Sequence, residues 1–369
     1  MRNVVTRICI LSLLFALSAC SSGGRSSVPA AAPAGTSPGG STAQSNYLAP
    51  ATQKQYTIPF EAIDIGAAPD GNIWWGVGLT FALLNPANGN VAQYNALAPT
   101  EPSSEDISYF AVGKDGSVWY PLPPGQNCSG NYSFLNNLSE NGGTPVVYSS
   151  PTTTCYYLHF VAIGSDGNVW VGGNDASGNG AMFKFVPGNT SGPAAIYPIP
   201  FAPGPMTLGP DGALWFVALG QNGAEGFLGR IDTAGNFTQM ANLANAKFLN
   251  IASGGGYLWV NGSINGGYAI SRFTTGGVRT DYAVSHPLDR FDSGIAVNNG
   301  FVYFAEAASN VPMLSGAVGQ LNIVTGAILE YSPVGCLSFN PFGMTIDPSG
   351  NVWVSDYTND ALWELTFPH

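Results

Sequence analysis

Gly204–Phe216 reads GPMTLGPDGALWF. A short apolar run, a Pro-Asp-Gly turn and a second run through Trp215 spell a tight β-hairpin. Versions of the same stretch recur from Ile63 to Val354. Aligned on the last aromatic, they place Trp74, Trp119, Trp170, Trp215, Trp259, Tyr303 and Trp353 in one register, at intervals of 45, 51, 45, 44, 44 and 50 residues. Three positions before each aromatic stands a glycine: Gly71, Gly116, Gly167, Gly212, Gly256, Gly300 and Gly350. The residue before that glycine is Asp70, Asp115, Asp166, Asp211, Gly255, Asn299 or Ser349. Asp-Gly and Asn-Gly supply the positive φ angles of hairpin turns, so the aspartates read as turn formers. A calcium-ligand role is the weaker reading, because Gly255 and Ser349 stand in for them without disturbing the pattern.

Each hairpin is followed by a variable loop and a third strand, such as Thr80–Asn85 or Phe227–Ile231. A fourth strand comes next, often centred on tyrosine, such as Val91–Tyr94 or Ala195–Tyr197. Four short strands per period of about 45 residues predict an all-β, seven-bladed β-propeller. The last repeat stops after its third strand, Ala361–Phe367, and the unassigned Tyr56–Pro59 resembles the outer strands. The N-terminal strand is therefore expected to complete the seventh blade and remove the open sheet edges.

Around this body, 56–369, the chain divides simply. Residues 1–19 form a basic, then apolar export signal, with Arg2 and Arg7 ahead of Ile8–Leu17. Leu17-Ser18-Ala19-Cys20 resembles a bacterial lipobox, which implies cleavage before Cys20 and lipidation of that residue. Residues 20–55 are rich in Ser, Gly, Pro and Ala and read as a flexible tether. The expected address is the cell envelope, with the membrane reached only through the lipid anchor.

Composition agrees with strands and turns: 48 Gly, 27 Pro, 12% aromatic and only 9% charged residues in 369. The net charge of −11 becomes −13 without the two signal arginines. An acidic chain with no basic run repels phosphate, which argues against a nucleic-acid partner. Beyond the signal, the cysteines are Cys128, Cys155 and Cys336. Cys128 and Cys155 fall on loops of neighbouring blades at one face, and an oxidising compartment favours a bond between them. Closing that loop contributes about 3.5 kcal/mol in the chain-entropy model. Cys336 reads as a free thiol, and no Cys-x-x-Cys or His spacing supports zinc.

The loops that vary, among them Tyr120–Tyr132, Gly172–Gly180 and Glu306–Gly316, gather at the mouth opposite the uniform turns. Variation on one face of a repeated scaffold is where binding is expected. Two units, Gly204–Met240 and Phe342–Asp356 (FGMTIDPSGNVWVSD), resemble the repeats of streptogramin B lyases, the virginiamycin B lyase family, with partial likeness to NHL-type and gluconolactonase-like propellers. The resemblance spans the body and implies ring-opening elimination in a cyclic depsipeptide, with Mg²⁺ and a histidine base.

The family's histidine slot, eleven residues before the aromatic, holds Ile63, Ser108, His159, Gly204, Phe248 and Phe342, with Ser293 in the shortened sixth repeat. Its glutamate slot holds Glu306 and Asp356 in the last two repeats. The resemblance thus makes His159 the candidate base and Glu306 and Asp356 the candidate Mg²⁺ ligands. His286 and His369 are out of register. Sparse histidines and mostly empty glutamate slots favour a monomeric propeller that binds a ligand or envelope protein without chemistry. A Mg²⁺-dependent lyase and a structural subunit at the cell surface are the alternatives.

Overall fold

A computed structural model describes residues 47–97, 107, 109–122, 134–149, 155–219, 225–284, 294–306, 315–336 and 338–368. Its 28 strands form seven four-stranded sheets, each fully antiparallel, arranged as the blades of a propeller. Blade 4, which contains the opening hairpin, pairs Met206–Leu208, Leu214–Leu219, Glu225–Ile231 and Phe237–Ala244 in sequence order. Among the described residues no helix is long and apolar enough to cross a membrane.

The repeated aromatic has a definite task. Each blade is wetted on neither face, because its neighbours cover it, and the apolar side chains collect into seven clusters, one per seam. Trp215 of blade 4 packs with Phe248 and Ile251 of blade 5, and Trp119 of blade 2 with Leu158 and Val161 of blade 3. Trp353 of blade 7 packs with Tyr56, Ile65 and Trp75, across the closing seam. A large flat side chain is needed at the same height in every seam, so the same register position recurs as Trp or Tyr.

The turns separate into two kinds. All seven register glycines have positive φ, from 75° at Gly167 and Gly212 to 91° at Gly71. In blades 5 and 6 the strands pair Gly254 with Tyr257 and Asn298 with Phe301, leaving two-residue loops. There the preceding residue is also positive, Gly255 at 62° and Asn299 at 49°, which is why glycine and asparagine replace aspartate. In blade 4, Gly212 N–H donates to Gly209 O and Gly209 N–H to Ala213 O, a longer turn in which only the glycine is left-handed. Here the preceding aspartate is used for its oxygens. Asp211 Oδ1 accepts from Ala213 N–H at 3.3 Å and from the Trp215 indole at 2.9 Å. In blade 7, where Ser349 takes that place, Asp347 accepts from the Trp353 indole at 3.0 Å instead.

The ring closes as the sequence predicts, in the order Thr52–Thr57, Ala361–Thr366, Val352–Asp356, Pro341–Ile346. The closing strand begins earlier than expected, at Thr52, and ends at Thr57, so Thr52–Gln55 belong to the propeller. Thr52, Gln53 and Lys54 are exposed, as an outermost strand allows, and their composition alone resembles linker. Gln53 is nevertheless tied to Val334 by two side-chain hydrogen bonds, at 2.8 and 3.0 Å. Still earlier, Leu48 bridges Tyr331 in parallel, adding a short outer rung to blade 6.

Candidate functional site

The first strand of each blade runs from the loop-rich mouth down to the glycine turn. Near the mouth this strand carries an extra residue in several blades. In blade 3, Leu158 lies opposite Gly173 and Phe160 opposite Gly172, so His159 is the extra residue of a β-bulge. Blade 5 bulges between Phe248 and Asn250, and blade 7 between Pro341 and Met344. Two of these bulges are pinned by second-strand side chains. Asn261 Oδ1 accepts from Asn250 N–H at 2.8 Å, and Ser355 Oγ accepts from Gly343 N–H at 2.8 Å.

The bulges surround a cavity of about 170 Å³ at this end of the channel. Asp64, Tyr109, Phe160, Met206, Asn250, Gly294 and Gly343 each supply one wall, one from each blade in turn. The walls differ in kind. On the blade 2 and 3 side, the rings of Tyr109 and Phe160 lie 4.3 Å apart at 40°. On the blade 6 and 7 side, glycines bring backbone close to backbone. A Cβ on Gly294 would strike Met344, and one on Gly343 would strike the Ile63 carbonyl. Among the described residues Asp64 is the one carboxylate of the lining, and no lysine, arginine or histidine shares it. Its Oδ1 accepts from Ile65 N–H at 3.0 Å, and Asn250 Oδ1 accepts from Ile251 N–H at 2.8 Å. Each side chain thus caps its own strand at the channel wall.

None of the three residues singled out for chemistry lines this cavity. His159 is half-buried on its bulge, with its ring 6.3 Å from that of Phe160. Glu306 ends the second strand of blade 6 and is fully buried. Burial pushes its carboxyl up to about 8, and the charge of Glu330 adds to the rise. Tyr47 belongs to the same cluster: burial, then Glu306 and Glu330, raise its hydroxyl to about 12. Asp356 ends the second strand of blade 7 and is also buried. Its oxygens accept from Asn340 N–H at 3.1 Å, Asn359 Nδ2 at 2.8 Å and the Trp363 indole at 3.2 Å. Burial raises its carboxyl even against those three donors. Glu306 and Asp356 are thus buried at the ends of their strands and do not face the cavity.

The residues do not fit a Mg²⁺ centre. Burial raises the Glu306 carboxyl to about 8, which weakens the charge it can offer a hard cation near neutral pH. Asp356 already spends both oxygens on three donors. Among the described residues no three His, Cys, Asp or Glu side chains gather where they could hold a metal. His286, His369 and Ser293 lie outside the described residues, as do Ser108, Cys20 and Cys128. Cys155, half of the expected Cys128–Cys155 pair, is disulfide-bonded. Cys336 is disulfide-bonded too, which corrects the expectation of a free thiol there. Its Sγ lies 3.7 Å from Asp356 Oδ2, so it is part of the packing that holds the blade 7 mouth.

The lining residues escaped the sequence reading because they fall one or two places after the histidine slot. A bulge shifts which residue faces the channel, and nothing in the local sequence marks it. Asp64 was adjacent to the aligned Ile63 and its charge in an apolar run was the available signal.

No protein-family model matches the chain, and no curated protein matches it. Solved structures do. The chain is similar to a catalytically inactive virginiamycin B lyase from Staphylococcus aureus solved with quinupristin, at TM-score 0.63 and 20% identity over 86% of this chain and 99% of that one. A streptogramin B lyase matches at TM-score 0.60 and 22% identity, over 86% and 98%. YCF48 bound to a D1 peptide matches at TM-score 0.59 and 12% identity, over 87% and 97%. The likeness is one of fold. The lyase-like propeller implied by the repeats is therefore present as architecture, and the same architecture is shared with a peptide-bound protein.

Proposed function

We propose that the protein is a lipid-anchored, cell-envelope propeller that binds a peptide or protein partner at its loop-rich mouth without catalysing a reaction. The observation that carries this reading is the cavity itself. All seven blades contribute to it, its wall mixes apolar and aromatic side chains with backbone and polar groups, and His159, Glu306 and Asp356 stay outside it. A concave site that sets apolar side chains beside a few fixed polar groups is suited to recognition. The peptide-bound structure of YCF48 supports a peptide as the class of partner.

The anchor and the absence of lyase chemistry are tested together. Cys20→Ala should move the protein from the membrane fraction to the soluble fraction. The full chain given a cyclic depsipeptide and Mg²⁺ should leave the ring closed. Membrane retention of the variant would remove the anchor. Ring opening that His159→Ala abolishes would replace the binding reading with the lyase.

A further inference from the structure

We infer that the turn end of blade 5 carries a second binding site, where Arg272 receives an aspartate or glutamate side chain from an apolar partner segment. The site lies at the end of the ring opposite the mouth and does not depend on the mouth-binding reading. The repeat itself points to it.

On the third strand, the residue paired with the register aromatic is Lys184 in blade 3, Arg230 in blade 4 and Arg272 in blade 5. In the first two blades that cation meets the turn aspartate. Lys184 Nζ lies 2.7 Å from Asp166, and Arg230 Nε lies 2.7 Å from Asp211. The shorter turn of blade 5 has Gly255 in the aspartate's place, and the Trp259 indole donates to Gly254 O at 3.1 Å instead. The carboxylate is gone and the cation is kept. Among the described residues Arg272 has no carboxylate partner. Its guanidinium lies over the Tyr257 ring at 4.6 Å, with Trp259 and Tyr282 each at 6.0 Å, and donates to Thr280 Oγ1 at 3.4 Å. Aromatic faces hold a guanidinium in place while leaving its N–H fork open to a carboxylate.

The neighbouring carboxylates are engaged elsewhere. Asp281 belongs to the other face of the outer strand, where it accepts from Ser271 Oγ at 2.8 Å and pairs with Arg279 at 3.0 Å. Glu330 of blade 6 sits with Glu306 and Tyr47. Two stretches outside the described residues carry carboxylates, 98–106 and 285–293, and their flanks Leu97, Ile107, Val284 and Gly294 all lie at the mouth. The rim around Arg272 is apolar. Val278, just before the outer strand, is 67% exposed, and Val324, in the blade 6 turn whose Gly326 lies against Tyr282, is 88% exposed. These are the two most exposed large apolar side chains among the described residues. A fixed arginine on an aromatic bed, with apolar residues beside it, matches the anchors that protein interfaces favour.

The chain has seven arginines, so the Nε–Hε signals of an isotope-labelled full chain can be followed singly by NMR. The probes are acetyl-Gly-Val-Glu-Val-Gly-amide, its glutamine counterpart and acetate. The glutamate peptide should shift the Arg272 signal saturably and leave those of Arg230 and Arg279, which are already paired, in place. The glutamine peptide and acetate should each bind at least about threefold more weakly, as an exposed ion pair allows. Arg272→Gln identifies the signal by removing it. Thr280 is exposed, so Thr280→Glu can set a carboxylate beside Arg272 without disturbing its rings. That variant should move the Arg272 signal before any peptide is added and weaken the peptide at least about threefold. Val324→Ser should weaken the glutamate peptide and leave acetate unchanged.

A glutamine peptide that binds as well as the glutamate one overturns the inference. So does the absence of a saturable shift at Arg272, or an equal shift at Arg230 and Arg279. Acetate that binds as tightly as the peptide reduces the site to a bare anion contact and removes the partner segment. Phe160→Ala, at the mouth, should leave the whole titration unchanged; a loss of the Arg272 response there would place the peptide at the mouth and end the claim of a second site.

Discussion

The two ends of the same hairpins are built on opposite terms. At the turn end, Asp211 and Asp166 are held charged. Burial works against Asp211, but donation from the Trp215 indole and Arg230 wins and keeps its carboxyl below the ordinary range. Asp166 is held low in the same way by Lys184, Asn168 and Trp170, again against burial. At the mouth end, Glu306 and Asp356 are buried and raised instead. The turn end repeats because every seam needs the same aromatic at the same height. The mouth end varies because bulges, loops and local hydrogen bonds finish each blade differently. Repetition here marks what holds the ring, and departure from it marks where a ligand can be told apart.

The largest test of that contrast is a truncation at each end. Trp215 is fully buried in the blade 4–5 seam and donates to Asp211. Trp215→Ala should cost about 3–5 kcal/mol, as core aromatic deletions do, and lower the melting temperature accordingly. Phe160→Ala removes a half-buried ring from the cavity wall and should cost less than half as much. Equal losses in thermal or urea unfolding would mean that the mouth is as much a part of the scaffold as the turns.

The next contrast is in pH. Glu306 keeps its proton in the folded chain up to about 8, against an ordinary 4.5. Between these values the folded chain holds a proton that the unfolded chain has lost, so stability must fall as pH rises. The slope approaches about 1.4 kcal/mol per pH unit for such a group. Glu306→Gln should flatten the decline of melting temperature between pH 5 and 8. A decline that persists in the variant would assign it to some other group, and Glu306 would lose its special standing at the mouth.

What the sequence made legible follows the same division. The seven aromatics, their glycines and the strand count were all readable, because they answer to one constraint repeated around the ring. Even the exceptions at Gly255 and Asn299 were in view, although their reason, a second left-handed residue in a shorter loop, needed the pairing of strands. The mouth was much less readable. His159 occupies the expected slot, yet a bulge gives the channel wall to Phe160. Glu306 and Asp356 match a family pattern by spacing, but spacing does not say whether a strand end turns into the blade or into the channel. Thr52–Gln55 resembled tether because an outer strand is held through its backbone, which composition does not record.

The smallest effect separates two aspartates that the repeat treats as equivalent. Asp211 accepts from the turn, from the Trp215 indole and from Arg230 Nε at 2.7 Å. Among the described residues Asp70 accepts only from Asn72 of its own turn, because the Trp74 indole donates to Gly116 O of the next blade at 2.9 Å. Asp211→Ala should therefore cost about 1–2 kcal/mol, most of it from the buried indole left without an acceptor. Asp70→Ala, in an exposed turn, should cost about 0.5 kcal/mol. Because the Asp211 carboxyl is held below its ordinary 3.8, its contribution is present above that pH and is lost as pH falls further, opposite in sign to Glu306. The stability gap between Asp211→Ala and the wild type should thus narrow as pH falls through the acid range. If the two alanine variants instead unfold alike at pH 7, the turn aspartates serve only to shape the turn, and the indole bond contributes nothing measurable to the seam.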